Sequence, residues 1–304
     1  MDNLIVDKRN GNVGFNEKEH LYFNIDDPSK RYISVTTLIH NYTQPFDKEF
    51  WSAYKALEQL LPKSSWTVEK KSLLNSKKFD KEILDIYNIS ENDFNKSQQD
   101  ILDSWALENK KACDLGTKVH KEIEESFYIK PKNISLQKFG IGGVFECKKD
   151  YSELDLEYGV YPEYLIFRES DDGILRIAGQ VDLIIKSGND LTIVDHKTSK
   201  KIEQKSGFDT STRSNVKMKY PLNNIMDSNY WHYTLQLSTY AWMLQKINPN
   251  FVIKDLIINH YDHNGNNTLY HCDYLKSDVE KMLYYYKKQV ILDNNRAKRK
   301  RIEY

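Results

Sequence analysis

Three consecutive apolar runs of period two, with a short turn between each pair, constrain this chain more than anything else in it. The runs are EYGVYPEYLIF (157–167), LRIAGQVDLIIK (175–186) and DLTIVDHKTS (190–199), and the turns are SDDG and SGND. Alternation marks strands, and turns this short join antiparallel neighbours. A three-stranded antiparallel meander is therefore expected at the centre of the fold. Its oddity is chemical: Glu163, Asp182, Asp195 and Lys197 stand inside segments otherwise suited to a core, where ionisable groups are costly unless paired or bound.

The rest of the chain supplies elements to pack on that meander. VGFNEKEHLYFNIDDPSKRYISVTTLIHNY alternates around an Asp-Asp-Pro-Ser turn and reads as a hairpin, with Ser34 or Thr36 placed to cap a helix. From Phe46 to about Phe127 the period is helical, interrupted at Pro62 and at the polar NISENDFNKSQQD, so two or three helices are expected. Trp51, Tyr54, Trp66 and Trp105 offer stacking surfaces for bases, although aromatics at helical spacing more often build a core. A basic, Ser/Thr-rich loop to about Asn229 follows the meander, then a helix, a strand, a turn at HNGN and a last helix ending in RAKRKR. The order predicts an α/β (α+β) fold with a central sheet flanked by helices.

Charge and cysteine usage narrow the function classes. Lys+Arg and Asp+Glu are equal at 44 each, so any anionic partner must be met locally. Residues 197–219 hold seven Lys/Arg against Glu203 and Asp209, and residues 281–304 hold eight against two acids. A nucleic-acid backbone would fit Lys200, Lys201, Arg213, Lys217 and Lys219; a solvated charge run explains them equally well. No run is long enough to span a bilayer and the first residues have no signal-peptide core, so a cytoplasmic location without membrane contact is expected. Cys113, Cys147 and Cys272 form no CxxC pair and suggest no disulfide framework.

On a strand, Asp195 and Lys197 share one face and His196 takes the other, while Asp182 ends the neighbouring motif and can approach the same point. Two converging carboxylates repel unless a cation lies between them, and oxygen ligands suit Mg²⁺ or Mn²⁺. A lysine beside such an ion fits metal-assisted phosphodiester hydrolysis. Upstream, GTKVHKEIEESF puts His120 beside the apolar stripe Val119, Ile123 and Phe127. Downstream, Gln236 and Tyr240 in LQLSTYAWML share a helix face.

In this order, His120, Glu163, GQVD with Asp182, DHK with Asp195 and Lys197, and QLSTY with Gln236 and Tyr240 resemble the RecB-like branch of the PD-(D/E)xK nuclease superfamily. The SVTTLI and GTKVH segments are similar to the mitochondrial genome maintenance exonuclease group and to stand-alone bacteriophage nucleases. The resemblance implies a restriction-endonuclease-like core over residues 111–304 with a basic tail. It also implies an N-terminal hairpin and helical region over 1–110 that could arch over the site. His120, Asp182, Asp195 and the carbonyl of His196 would bind the metal, and Lys197 would orient or activate water. Gln236 and Tyr240 would contact phosphate or brace Lys197, and Glu163, with Glu124 a lesser candidate, would stand behind the metal or on a second one. The motif lacks the proline of the superfamily name, and three scattered cysteines cannot supply the four ligands of an iron–sulfur cluster.

The activity expected from the resemblance is a Mg²⁺- or Mn²⁺-dependent DNA exonuclease on single-stranded or end-bearing DNA, serving replication, recombination or DNA processing. A flap endonuclease and a DNA-binding module with a vestigial site are the alternatives. No GxxxxGK[ST] motor motif occurs, so a separate helicase, polymerase or single-strand-binding protein is the expected partner. The Asn-, Lys-, Ile- and Tyr-rich composition suggests an AT-rich source, a phage in host cytoplasm or a low-GC bacterium.

Overall fold

The computed structural model describes residues 4–6, 13–16, 19, 21–148, 156–209, 212–262 and 265–302. In chain order the elements are β1 (Leu4–Val6), β2 (Val13–Asn16), β3 (Leu21–Asn24), β4 (Arg31–Ser34), α1 (Val35–His40), α2 (Lys48–Leu60), α3 (Lys63–Ser76), α4 (Glu82–Ile86), α5 (Glu91–Ile129), β5 (Ile134–Leu136) and β6 (Ile141–Phe145). They continue with β7 (Gly159–Glu169), β8 (Arg176–Ser187), β9 (Asp190–Lys197), β10 (Phe208–Asp209), β11 (Ser214–Asn215), α6 (Asn229–Ile247), β12 (Val252–Tyr261), β13 (Asn267–His271) and α7 (Lys276–Ile302). Two compact units result: residues 1–43, 118–205 and 217–304 form one, and residues 44–117 and 206–216 the other.

The first unit is built on a nine-stranded mixed sheet. The meander is present as expected, with β7 antiparallel to β8 and β8 antiparallel to β9. Ser34 is the cap of α1, its Oγ accepting from Thr37 N at 3.0 Å. The hairpin strand β4 continues into the central sheet by pairing in parallel with β8. β12 lies parallel to β9 on its other side and carries β13 antiparallel. Apolar residues of α1, α6 and α7, among them Leu38, Leu237, Met243 and Met282, cover one face with Ile177, Ile184, Ile193 and Ile258. Phe127 at the end of α5, Phe139 and Phe145 cover the other, against Val160, Leu183, Val194 and Ile257. The central mixed sheet flanked by helices is thus the expected architecture.

β8 is where the sheet divides. β7 runs along one edge of it from Arg176 to Lys186. The other edge is shared: β4 pairs with Ile177 and Ala178, and β9 pairs from Leu183 onward. Residues 179–182, the GQVD motif, pair with neither. On β7 and β8 the alternation of faces also slips here, because Tyr161 and Tyr164, like Val181 and Ile184, join the same core although they are three residues apart. The slip falls on Glu163, whose φ of +49° is rare for a side-chain-bearing residue within a strand.

The second unit is helical. Four helices, rather than two or three, occupy the span from Phe46 to Phe127. NISENDFNKSQQD interrupts them only at its start, where residues 88–90 lie between α4 and α5, and from Glu91 on it is helical. Ser90 Oγ accepts from Asn92 N, Glu91 and Asp93 favour the positive end of the helix dipole, and Phe94 and Ile101 continue the apolar stripe, so the segment opens the 39-residue α5. Tyr54 and Trp66 are buried in the cluster of this unit with Phe50, Leu57 and Phe94, and Trp51 and Trp105 pack against it half-buried. These aromatics build a core. Among the described residues no helix is long and apolar enough to cross a membrane.

Candidate active site

The divided sheet gathers ionisable groups from five elements. In the registers of β7 with β8 and of β8 with β9, Glu163 falls opposite Asp182 and Asp182 falls opposite Asp195, so three carboxylates form one row across three strands. The ladder between β8 and β9 stops one step short of this row. The Asp182 carboxylate takes its place, with Oδ2 accepting from His196 N at 2.6 Å. A side chain thereby satisfies a backbone donor that the fork leaves unpaired.

His120, projecting from α5, lies over the row. Its Nδ1 is 3.6 Å from Asp182 Oδ1 and 3.8 Å from Glu163 Oε1, and its Nε2 donates to His196 O at 3.0 Å. One donor atom from each of His120, Glu163 and Asp182 lies within 4.8 Å of the other two. With Nε2–H fixed on a carbonyl, Nδ1 is the nitrogen left for a cation, and the hydrogen bond sets its tautomer. Glu124, one turn beyond His120, is half-buried, bonds Tyr128 and raises Glu163 by its charge.

Asp195 belongs to a second cluster. Its Oδ1 accepts from Gln236 Nε2 at 3.0 Å and its Oδ2 lies 2.6 Å from Lys197 Nζ. Gln236 therefore reaches Asp195 rather than Lys197, and its other contact is Tyr240 OH at 3.5 Å. The lysine is held instead by Asp195 and by the ring of Tyr233, whose centroid is 4.9 Å from Nζ. Tyr233 stands one helical turn before Gln236 on α6, a spacing visible in the sequence though aromatic residues there read as core.

Electrostatics follow from burial, which His120 and Lys197 offset only in part. Burial pushes the carboxyl groups of Glu163 and Asp182 above the usual carboxylate range and that of Asp195 up to about 6. Burial also depresses His120 and Lys197, but acids outweigh it in both. Asp182 and Glu163 carry His120 up to about 9, and Asp195 with Asp182 holds Lys197 above an ordinary lysine. His196 is different: its side chain turns to the opposite face, where Nδ1 accepts from Asn259 Nδ2 at 2.9 Å and burial keeps the ring neutral. The oxygen-and-imidazole donor set, with its donor atoms within 4.8 Å of one another, fits a hard or borderline divalent cation. His120, Glu163 and Asp182 would hold it, with Asp195 and the His196 carbonyl alongside.

Two further residues position this site and are not legible from motif spacing. His260, in register with Lys197 on β12, faces Ser199 O through Nε2 at 2.6 Å and fixes the chain where it leaves β9. Gly179 abuts Tyr240: a Cβ at this position would stand 2.6 Å from Cε1 of that ring. The ring is buried between sheet and α6 and has no room to retreat. The glycine of GQVD is thus the seat of the tyrosine of QLSTY. Gly179→Ala is expected to cost about 2 kcal/mol in denaturant unfolding, as overpacking of a filled core does.

The basic residues of the loop after β9 are spread out. Lys200, Lys201 and Lys219 are exposed, Lys201 pairing with Glu203 at 2.6 Å, while Lys217 Nζ donates to Asn224 O at 3.2 Å. Arg213, exposed and with φ +50°, belongs to the other compact unit. α7 continues as helix through RAKRKR to Ile302, and His263 and Asn264 of the HNGN turn lie outside the described residues.

A sequence profile of the PD-(D/E)XK nuclease superfamily matches residues 138–288. This region of the chain belongs to that superfamily. The match takes in Glu163, Asp182, Asp195, Lys197, Gln236 and Tyr240, and His120 precedes it. Among solved structures the chain is similar to SSO0001, at 16% identity and a TM-score of 0.32, covering 60% of this chain and 61% of that one. It is also similar to a candidate exonuclease from Eubacterium rectale, at 12% identity and a TM-score of 0.35, covering 86% of this chain and 81% of that one. The chain thus spans less than two thirds of the first of these. No curated protein sequence matches it.

Proposed function

We propose that the protein is a Mg²⁺- or Mn²⁺-dependent deoxyribonuclease that digests single-stranded or end-bearing DNA from an end, in replication, recombination or DNA processing. The observation that carries this reading is the row of Glu163, Asp182 and Asp195 at the fork of the sheet, with His120 Nδ1 over it and Lys197 beside it. A divalent cation, when bound, lowers the pKa of a water and offsets the charge of the phosphodiester. It would be held by His120, Glu163 and Asp182, with Asp195 and the His196 carbonyl alongside. Asp195 holds Lys197 Nζ, and Gln236 holds Asp195, so the ammonium is fixed in direction.

In the reaction a P–O bond forms to the oxygen of water while the P–O bond to one sugar oxygen breaks. The water loses a proton and the departing oxygen gains one. Lys197, charged in its ion pair, acts by donating a hydrogen bond to the attacking water or the phosphate. Tyr240 stays seated on Gly179 and serves Gln236 from behind.

The test pairs an end-labelled linear single strand with a covalently closed circle, each with Mg²⁺, Mn²⁺ or EDTA. Loss of the linear strand alone, in metal and not in EDTA, is the expected result. Cutting of the circle would move the protein to the endonuclease reading, and cutting of neither with retained binding to a vestigial module.

A further inference from the structure

Two tyrosines of the larger unit are among its most exposed large side chains. Tyr220, within the segment between β9 and α6, is 65% exposed, and Tyr284, on α7, is 63% exposed. Their surroundings are built rather than loose. Tyr285 stands under Tyr220 edge to face, with ring centroids 5.1 Å apart at 83°, and Tyr285 in turn leans on Tyr42 at 6.4 Å. Tyr42 is anchored by its hydroxyl on Met282 O, and its own carbonyl accepts from Lys219 N at 2.7 Å, which fixes the residue beside Tyr220. Lys288, one helical turn beyond Tyr284, places Nζ 4.5 Å over that ring. Tyr285, which carries Tyr220, is the neighbour of Tyr284 on α7, so the two exposed rings belong to one stretch of surface.

The acids at the start of α7, Asp278 and Glu280, stand two turns or more before Lys288. Asp278 is already taken by Lys281 at 3.3 Å and by Asn224 Nδ2 at 3.2 Å. Among the described residues neither Lys219 nor Lys288 has a carboxylate at ion-pair distance. Two open aromatic faces with unneutralised ammonium groups suit a ligand that alternates flat rings and negative charges. A single-stranded nucleic acid does so, because every base has a face to stack and every linkage carries a charge. An acidic peptide would use the lysines but leave the rings unmatched.

We infer that Tyr220, Tyr284 and Lys288 form a single-strand platform, on which bases stack on the two tyrosines and Lys288 meets the backbone. The inference rests on the nuclease reading for its choice of DNA but concerns no residue of the cleavage site.

The test measures binding of the full chain in EDTA to two fluorescent probes of about 20 units, an oligothymidylate and an abasic backbone of equal length. Tyr220→Ala and Tyr284→Ala are each expected to raise Kd for oligothymidylate about tenfold and for the abasic probe less than about twofold, the stacking share of such contacts. Lys288→Gln should weaken both. All three positions are at the surface, and unchanged melting temperatures will show that the fold is kept. Tyrosine variants that bind like wild type, or lose both probes equally, overturn the platform. So does a change in sedimentation without a change in binding, which would make the patch a contact between copies. Cleavage by the wild type in metal is scored separately. Tyrosine-dependent binding without cleavage would leave the platform standing and remove the nuclease reading, and cleavage without tyrosine-dependent binding would do the reverse.

Discussion

Lys197→Ala is expected to lower metal-dependent cleavage of single-stranded DNA by about 10³-fold, at the upper end of what removing one positioned hydrogen-bond donor costs. Among the described residues no lysine but this one combines a place within a strand with an ion pair. It lies within a strand, 2.6 Å from a carboxylate that is itself fixed by Gln236, with the face of Tyr233 along it. Removing it deletes the ammonium and leaves Asp195 buried without its cation. That second effect must be separated from the first. Asp195 already has its carboxyl pushed up to about 6 by burial, so without Lys197 it takes up a proton rather than stay charged. Lys197→Gln, which keeps a donor near Asp195 but no charge, serves as the control. Both variants are expected to lose turnover while the far-UV spectrum and binding of uncleaved DNA in EDTA persist. Turnover within tenfold of wild type in either variant would remove Lys197 from the chemistry.

The meander, the cap at Ser34 and the last helices are local properties, written in period and turn chemistry, and the structure has them where the sequence places them. The fork of the sheet is not local. It depends on β4 meeting β8 across some 140 residues, and the slip of faces falls where the backbone of Glu163 turns to a φ of +49°. The resemblance sets His120, Asp182 and Asp195 on the metal and Glu163 behind it or on a second one. In the fold, His120, Glu163 and Asp182 converge, while Asp195 turns to Lys197 and Gln236. The same non-locality hides His260, whose place beside Lys197 comes from parallel pairing. It hides the reason for Gly179 as well. Spacing shows a glycine and a tyrosine in order, and only packing shows that one makes room for the other. In the helical unit the polar stretch does mark a break at residues 88–90, but from Glu91 its polar side chains are one face of α5, since half of any surface helix is polar.

Asp182→Asn is expected to abolish the stabilisation of the protein by divalent metal without destabilising the metal-free form. A ligand at a hundred times its Kd adds about 2.7 kcal/mol to folding, which for a chain of this size is about 5 °C in melting temperature. Wild type should show that rise with Mn²⁺, and the variant less than about 1 °C, because the carboxylate facing His120 Nδ1 is gone. The metal-free variant should melt no lower than wild type. Asn keeps an acceptor for His196 N while removing a buried charge that burial disfavours. The rise should also depend on pH, with a sign set by His120. Its folded pKa of about 9 lies above the ordinary 6.5, so in the metal-free protein its contribution to stability is complete below about 6.5 and is lost as pH rises through 9. Metal must displace that proton from Nδ1, so the gain in melting temperature should grow from pH 6.5 toward 9, and His120→Gln should flatten the growth. A gain that is equal in wild type and Asp182→Asn would place the metal elsewhere. A gain indifferent to pH in wild type would leave His120 as a hydrogen-bonding neighbour of the acids and not a ligand.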